Sequence, residues 1–179
     1  PGVQWRQENF AASSGPVRVT WLEIDPTQRQ LQLKPITPDN NTIVGLAPLL
    51  IQADTNQAIA AINAGFFNRN NQYPLGIVQG NRALRSGPIL NRGAVAWDNA
   101  GRWEFDRLKV ETDIVAGNGE RVGVELINSG YVKAGAALYD RAWGSRYTTA
   151  VDHEIVLTVM TSGGRDQVIR QETAGKAGQ

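Results

Sequence analysis

The sequence of 179 residues contains no cysteine, a single histidine and a single methionine. Without cysteine, the chain has neither a disulfide bond nor a thiolate metal site. One histidine excludes a zinc site built from several histidines, and it argues against a serine–histidine–acid triad. The absence of cysteine does not decide the cellular compartment, because many exported bacterial proteins also lack it.

Long apolar runs and blocks of like charge are also missing. No stretch reaches the roughly 20 apolar residues that cross a bilayer as a helix. The missing apolar run predicts no membrane span, and the net charge of +1, from 18 basic and 17 acidic residues, gives no reason to expect nucleic acid or an anionic membrane as partner. The sequence does not begin with a basic region followed by an apolar run, so no signal peptide is visible. The protein is therefore either cytosolic or has had its signal removed.

The pattern of apolar residues predicts a strand-rich chain, and its length fits one domain. Residues 17–24 and 30–35 are expected to form a hairpin, and a glycine–asparagine turn at Gly80 indicates another. A clearer hairpin is predicted at residues 94–105, with its turn at 98–101, and residues 162–166 are expected to form a turn between the last two strands. The predicted strands are 17–24, 30–35, 76–79, 82–85, 94–97, 102–105, 122–127, 154–160 and 167–171.

One helix is predicted at residues 45–56, with Pro48 in its first turn, where proline is tolerated. The small apolar residues 58–62 then predict a strand buried on both faces. The expected fold class is α+β, with a mostly antiparallel or mixed twisted sheet and few helices.

The most informative motif follows that predicted strand. It consists of Asn63-Ala64-Gly65-Phe66-Phe67-Asn68, and Pro74-Leu75-Gly76 comes shortly after it. An apolar strand that ends on an amide presents that amide at a sheet end, where functional residues are often found. Gly65 is expected to allow a sharp turn or a close approach of a ligand.

These motifs resemble the phosphodiester glycosidase domain, the family of the mannose-6-phosphate uncovering enzyme and its bacterial relatives. The resemblance continues through residues 86–97, through Asn128-Ser129-Gly130-Tyr131-Val132, and through Tyr139 with Ala142-Trp143-Gly144, which are similar to a cyanobacterial branch. It implies a hydrolase that cleaves a sugar-1-phosphodiester of an exported glycan and releases the sugar and a phosphate monoester. It favours removal of a signal peptide, and hence an extracellular or periplasmic location.

The chemistry of that reaction selects candidate residues. A phosphate leaving group needs cationic donors more than a strong acid, and the planar fork of arginine matches phosphate oxygens. We therefore assign Arg92 and Asn63 as catalytic, since an amide can both donate to and accept from sugar hydroxyls. The residues expected to bind substrate are Gly65, Phe66, Phe67, Asn68, Gly76, Arg85, Tyr139 and Trp143. Each has an alternative structural interpretation, as a solvated arginine, a turn residue or a packed aromatic side chain.

Acidic residues offer no catalytic pair, because Glu125, Asp140, Asp152 and Glu154 have no spacing that brings two of them together. The arginine and acidic motifs that follow in the family have no match here. The resemblance therefore implies that residues 1–179 are the N-terminal part of one domain, with a second fragment of the same polypeptide as partner. No cofactor is expected, and an oxygen-ligand calcium site stays open. The alternative function is a non-catalytic carbohydrate-binding or envelope-associated module on the same fold.

Overall fold

The computed structural model describes residues 2–25, 27–39 and 41–178. Strands take 41% of the chain, and the described residues form a single α-helix and six small sheets of two or three strands. The predicted α+β class with one twisted sheet is therefore wrong, and the fold is nearly all-β. The physical reason is that most strands pair with their neighbour in sequence, so the hairpins do not join into a continuous sheet.

The elements follow one another along the chain as β1 (Val3–Ala12), β2 (Gly15–Ile24), α1 (Leu49–Thr55), β3 (Phe66–Phe67), β4 (Pro74–Leu75), β5 (Val78–Gly80), β6 (Ala83–Ser86), β7 (Gly93–Trp97), β8 (Trp103–Arg107), β9 (Asp113–Val115), β10 (Arg121–Ile127), β11 (Ala136–Leu138), β12 (Ile155–Ser162) and β13 (Arg165–Thr173). Among these described strands, the pairing of β10 with β11 is parallel and the others are antiparallel.

The chain divides into two units, and the first comprises Pro1–Lys34 and Gly93–Arg107. It contains two hairpins, β1–β2 and β7–β8. The predicted pairing of residues 17–24 with 30–35 is wrong, because β2 pairs along its whole length with β1 and residues 30–35 form no strand. The predicted hairpin at 94–105 is confirmed. Asp98 shapes its turn by accepting hydrogen bonds from the backbone N–H groups of Ala100 and Arg102, at 2.9 and 3.0 Å.

The second unit comprises Pro35–Arg92 and Leu108–Gln179 and holds the remaining elements. Its hairpin β5–β6, which was predicted, and its hairpin β12–β13, for which the two strands and the turn between them were predicted, each turn on two consecutive residues of positive φ. These are Asn81 and Arg82 in the first hairpin and Gly163 and Gly164 in the second. Such a pair of left-handed residues matches the right-handed twist of the flanking strands.

The core of the second unit is small and partly polar. Ile43, Ile89, Leu126 and Trp143 are its buried apolar residues. The buried polar residues are Ser86, Asn128, Ser129 and Thr149. Every buried side-chain nitrogen or oxygen among the described residues has a hydrogen-bond partner, so these polar groups stabilise the fold at little desolvation cost.

The region before the motif differs from its prediction. The helix is shorter than expected and begins after Pro48, whose carbonyl oxygen accepts from the Gln52 N–H at 3.1 Å. Residues 58–62 form no strand, and the side chains of Ile59 and Ile62 are 74% and 71% exposed. The predicted buried strand at 58–62 is therefore wrong for this chain, because no other described strand lies beside it.

Candidate functional site

The hairpin β3–β4 brings the two sequence motifs together. Phe66 pairs with Leu75 and Phe67 pairs with Pro74. Asn68 organises the connecting loop: its backbone N–H donates to the Tyr73 carbonyl oxygen at 2.8 Å, and its Oδ1 accepts from the Asn70 N–H at 2.9 Å. The aromatic pair and the Pro-x-Gly, separate in sequence, thus lie opposite each other across one short ladder.

Asn68 and Gly130 fasten this hairpin to the core. The Asn68 side-chain amide donates to the Gly130 carbonyl oxygen at 3.3 Å, and the Gly130 N–H donates to the Pro74 carbonyl oxygen at 2.8 Å. A Cβ atom on Gly130 would lie 2.4 Å from the Cβ of Tyr73, so only glycine permits this approach. The amide of Asn68, predicted to bind substrate, is thereby engaged within the chain.

Arg92 lies over the ring of Phe66, with its guanidinium carbon 4.9 Å from the ring centroid. Both residues are exposed. The turn before Arg92 places it there: Leu90 and Asn91 have positive φ, and the Arg92 backbone N–H donates to the Ile89 carbonyl oxygen at 3.1 Å. A cation above an aromatic face is held by the ring quadrupole while its N–H groups stay available. The structure thus brings together two of the predicted site residues.

Asn63 and Gly65 precede the hairpin in irregular, exposed backbone. Among the described residues, the Asn63 side chain makes no hydrogen bond, so its amide is available to a ligand. Gly65 does not have a positive φ, and a Cβ atom there would meet only the Leu75 carbonyl oxygen, at 3.8 Å. Neither the φ of Gly65 nor the space around it requires glycine for a turn, so the close approach of a ligand is the part of the expectation that stays a prediction.

Gly76 and Arg85 lie close to the core. Gly76 has φ +96°, a conformation that favours glycine, and its carbonyl oxygen accepts from the Ser86 Oγ at 2.6 Å. Arg85 is half-buried and its Nη1 donates to the Thr37 Oγ1 at 3.4 Å. Its carbonyl oxygen accepts from the amide of Asn128 at 2.9 Å. Both predicted site residues therefore help to position the polar core.

Asn128 is the centre of that core, and sequence reasoning assigned it no role. It is fully buried and has φ +44°. Its Nδ2 also donates to the Asp140 Oδ1 at 2.7 Å, and its Oδ1 accepts from the Asp140 backbone N–H at 2.9 Å. The available signal was an amide directly after an apolar strand, the same pattern that singled out Asn63.

Tyr139 and Trp143 form an aromatic pocket with Tyr73 and Tyr147. Trp143 meets Tyr73 and Tyr139 edge to face, with ring centroids 4.8 and 4.9 Å apart, and the rings of Tyr139 and Tyr147 are 4.4 Å apart. The cavity measures about 230 Å³ and is also lined by Ser129 and Thr149. Trp143 itself is buried, so it supports the wall of the pocket and exposes little of its own ring.

One carboxylate anchors the rim of this aromatic pocket. The Tyr147 hydroxyl donates to Glu154 Oε1, and Glu154 Oε2 accepts from the Ala150 N–H at 2.9 Å. Burial raises the pKa of both Tyr139 and Tyr147 above the ordinary tyrosine value. Both phenols are therefore neutral hydrogen-bonding groups at neutral pH.

No three histidine or acidic side chains in residues 2–25, 27–39 and 41–178 converge as metal ligands. Over the same residues, the single helix is too short to cross a bilayer.

Comparison with solved structures finds a similar chain. No family model and no curated protein matches the chain. The crystal structure of a hypothetical protein from Synechocystis is similar, with 43% sequence identity and a TM-score of 0.90. The match covers 99% of this chain and 32% of that one, so the chain spans about a third of the length of its relative. The two share their fold over almost all of this chain.

Proposed function

We propose that this chain carries part of the active site of a hydrolase that cleaves a sugar-1-phosphodiester. The observation that carries the proposal is the β3–β4 hairpin, which joins the two motifs of the resemblance and holds Arg92 over Phe66. The exposed amide of Asn63 lies three residues before Phe66. A cation, an aromatic face and an amide are suited to a phosphate, a sugar ring and sugar hydroxyls respectively.

The proposed reaction breaks the bond between the anomeric carbon and the phosphate oxygen. Water supplies the oxygen that joins the anomeric carbon, and one of its protons ends on the released phosphate monoester or in solvent. Arg92 pairs with the phosphate oxygens and stabilises the charge that the leaving group gains. The Asn63 amide donates to or accepts from the sugar hydroxyls and holds the ring in place.

The proposed active site needs a carboxylate to activate that water, and we assign this role to a second segment of the same polypeptide. The Synechocystis relative extends far beyond the matched region, which supports such a segment. Because the proposed substrate is an exported glycan or glycoconjugate, we also propose an extracellular or periplasmic location for the protein.

The aromatic pocket favours a second candidate, a module that binds carbohydrate without cleaving it. Its tyrosine rings and hydroxyl-bearing Ser129 and Thr149 combine apolar faces with hydrogen-bonding groups, as sugar-binding sites do. This candidate predicts glycan binding that depends on Tyr139 and not on Arg92.

The test is turnover of hexose-1-phosphate methyl diesters by the complete natural gene product, followed by phosphorus NMR of the released methyl phosphate. We expect Asn63→Ala to lower kcat/KM by about 10²-fold, as loss of one positioned donor does, while thermal stability is unchanged because the side chain is exposed. Arg92→Ala should do the same, and Arg69→Ala, at an exposed arginine of the β3–β4 loop, is the matched control.

Three outcomes separate the candidates. Unchanged turnover in Asn63→Ala, or an equal loss in Arg69→Ala, contradicts the assigned site. Absence of turnover on all diesters, together with glycan binding that Tyr139→Ala abolishes, favours the binding module.

A further inference from the structure

The solvent-accessible area of the chain exceeds what a self-contained fold exposes. The chain exposes 14287 Å². A compact monomer of its mass exposes about 8,500 Å², and two separate compact bodies of the sizes of the two units together expose about 10,000 Å². The excess of about 4,000 Å² therefore does not depend on how the units are arranged, and it exceeds the roughly 1,000–2,500 Å² that an obligate interface buries on each partner.

Residues 58–67, which we call the apolar segment, contribute to this excess along with other exposed apolar side chains such as Leu50 and Phe105. Ile59, Ile62 and Phe66 are 74%, 71% and 69% exposed, and Phe67 is also exposed. Isolated apolar side chains are common on surfaces, whereas a run of them in one short segment is typical of an interaction site.

The middle of the apolar segment also leaves its backbone unpaired, between a bonded N–H at Ala58 and the β3–β4 ladder that begins at Phe66. The Ala58 N–H donates to the Ala53 carbonyl oxygen at 2.8 Å. From Ile59 to Gly65, no backbone hydrogen bond to another described residue forms. A row of free N–H and C=O groups flanked by apolar side chains is a template for another strand. The sequence pattern at residues 58–62 predicts a strand buried on both faces, whereas the structure leaves these residues exposed. A strand supplied by a partner would bury them and so account for both observations.

We propose that the apolar segment is the docking strand for the second segment of the same polypeptide, which pairs with its backbone and covers its isoleucines by β-strand addition. The length of the Synechocystis relative supports this occupant, since about two-thirds of that chain lies outside the matched region. The identity of the covering segment rests on the proposed function. The inference that some segment covers this surface rests only on the excess accessible area and on the unpaired backbone of residues 59–65. Docking there places Asn63 between the two segments, where a carboxylate from the second could reach the same substrate.

The test is amide hydrogen exchange of the complete natural gene product, which needs no variant that has to fold. We expect the amides of residues 59–65 to exchange at least 100-fold more slowly than unstructured peptide, independently of protein concentration. Exchange within tenfold of the unstructured rate overturns the proposal. Protection that appears only as the protein dimerises assigns the segment to a second copy and also overturns it.

A pair of charge substitutions sharpens the result. Ile62→Asp should lower the melting temperature of the complete gene product by about 5 °C or more and release the protection of residues 59–65. Asn70→Asp introduces the same charge at an exposed loop position nearby and should change neither. Equal behaviour of the two variants contradicts docking at the apolar segment. Protection without turnover on any phosphodiester leaves docking intact and removes only the proposed function.

Discussion

Two regions of the second unit reverse the usual rule of apolar inside and polar outside. Around Asn128, polar groups are buried, whereas in the apolar segment two isoleucines and two phenylalanines are exposed. The difference lies in the partners available within the chain. Asn128 finds Arg85, Asp140 and Leu138 to satisfy its side chain and backbone, while residues 59–65 find no strand to pair with. Burial in this chain therefore follows hydrogen-bond satisfaction as much as hydropathy.

Gly130→Ala is the substitution expected to have the largest effect on this comparison. Its new Cβ atom would lie 2.4 Å from the Tyr73 Cβ and 3.1 Å from the Tyr73 backbone, which holds the end of the hairpin loop. We expect a loss of about 3 kcal/mol in the free energy of unfolding, measured by urea denaturation. Gly117→Ala is the control, since a Cβ atom at that position meets no atom within 4 Å. Similar stability of the two variants would show that the contact between position 130 and Tyr73 can relax without cost, which contradicts close packing at that point.

Asn128→Ala comes next. The substitution removes the buried amide that hydrogen-bonds the Arg85 carbonyl oxygen and the Asp140 backbone N–H. We expect a loss of about 2–4 kcal/mol in the free energy of unfolding, measured in the same way. Asn70→Ala, at an exposed position, should change stability by less than about 0.5 kcal/mol. If both asparagines behaved alike, the contrast between buried and exposed amides would fail.

Tyr147 makes the stability of the core region dependent on alkaline pH. Burial holds its folded-state pKa above the unfolded value of about 10, so its contribution is complete below that pH and decreases as the pH rises further. We expect urea midpoints to decrease above about pH 10, and Tyr147→Phe to reduce that decrease. An unchanged pH slope in Tyr147→Phe would mean that this phenol ionises as freely in the folded chain as in the unfolded one.

Gly65→Ala should have the smallest effect. The added Cβ atom meets only the Leu75 carbonyl oxygen, at an ordinary van der Waals distance of 3.8 Å. We expect the free energy of unfolding of the 179-residue chain to change by less than about 1 kcal/mol. A loss as large as that of Gly130→Ala would restore the expectation that position 65 requires glycine.

Local sequence signals predicted the hairpins well and the larger organisation poorly. The β7–β8 and β12–β13 hairpins follow from alternation interrupted by Asp98 and by Gly163-Gly164, because such turns are encoded within a few residues. The pairing of β2 was predicted incorrectly, because alternation shows that a strand exists without showing which neighbour it joins.

For the candidate site, the sequence identified Phe66 and Arg92 as candidate residues but did not predict that their side chains are in contact. The Phe66 and Arg92 side chains are 26 positions apart, and their contact arises from the left-handed turn at Leu90 and Asn91. Asn128 could not be distinguished from other amides, because its importance depends on groups 12 and 43 residues away that only folding brings to it.

Local chemistry in the sequence accounts for the turns, the strand-rich character, the exclusion of disulfides and the motif that carries the resemblance, since each depends on residues near one another in the chain. Tertiary structure alone decided that the described strands form six separate small sheets, that Asn68 and Asn128 serve the fold, and that the apolar segment lies uncovered. The physical reason is that strand pairing and burial depend on partners far away in sequence. A local pattern of side chains indicates that a strand must be paired or covered, but it does not indicate which segment pairs with it or covers it.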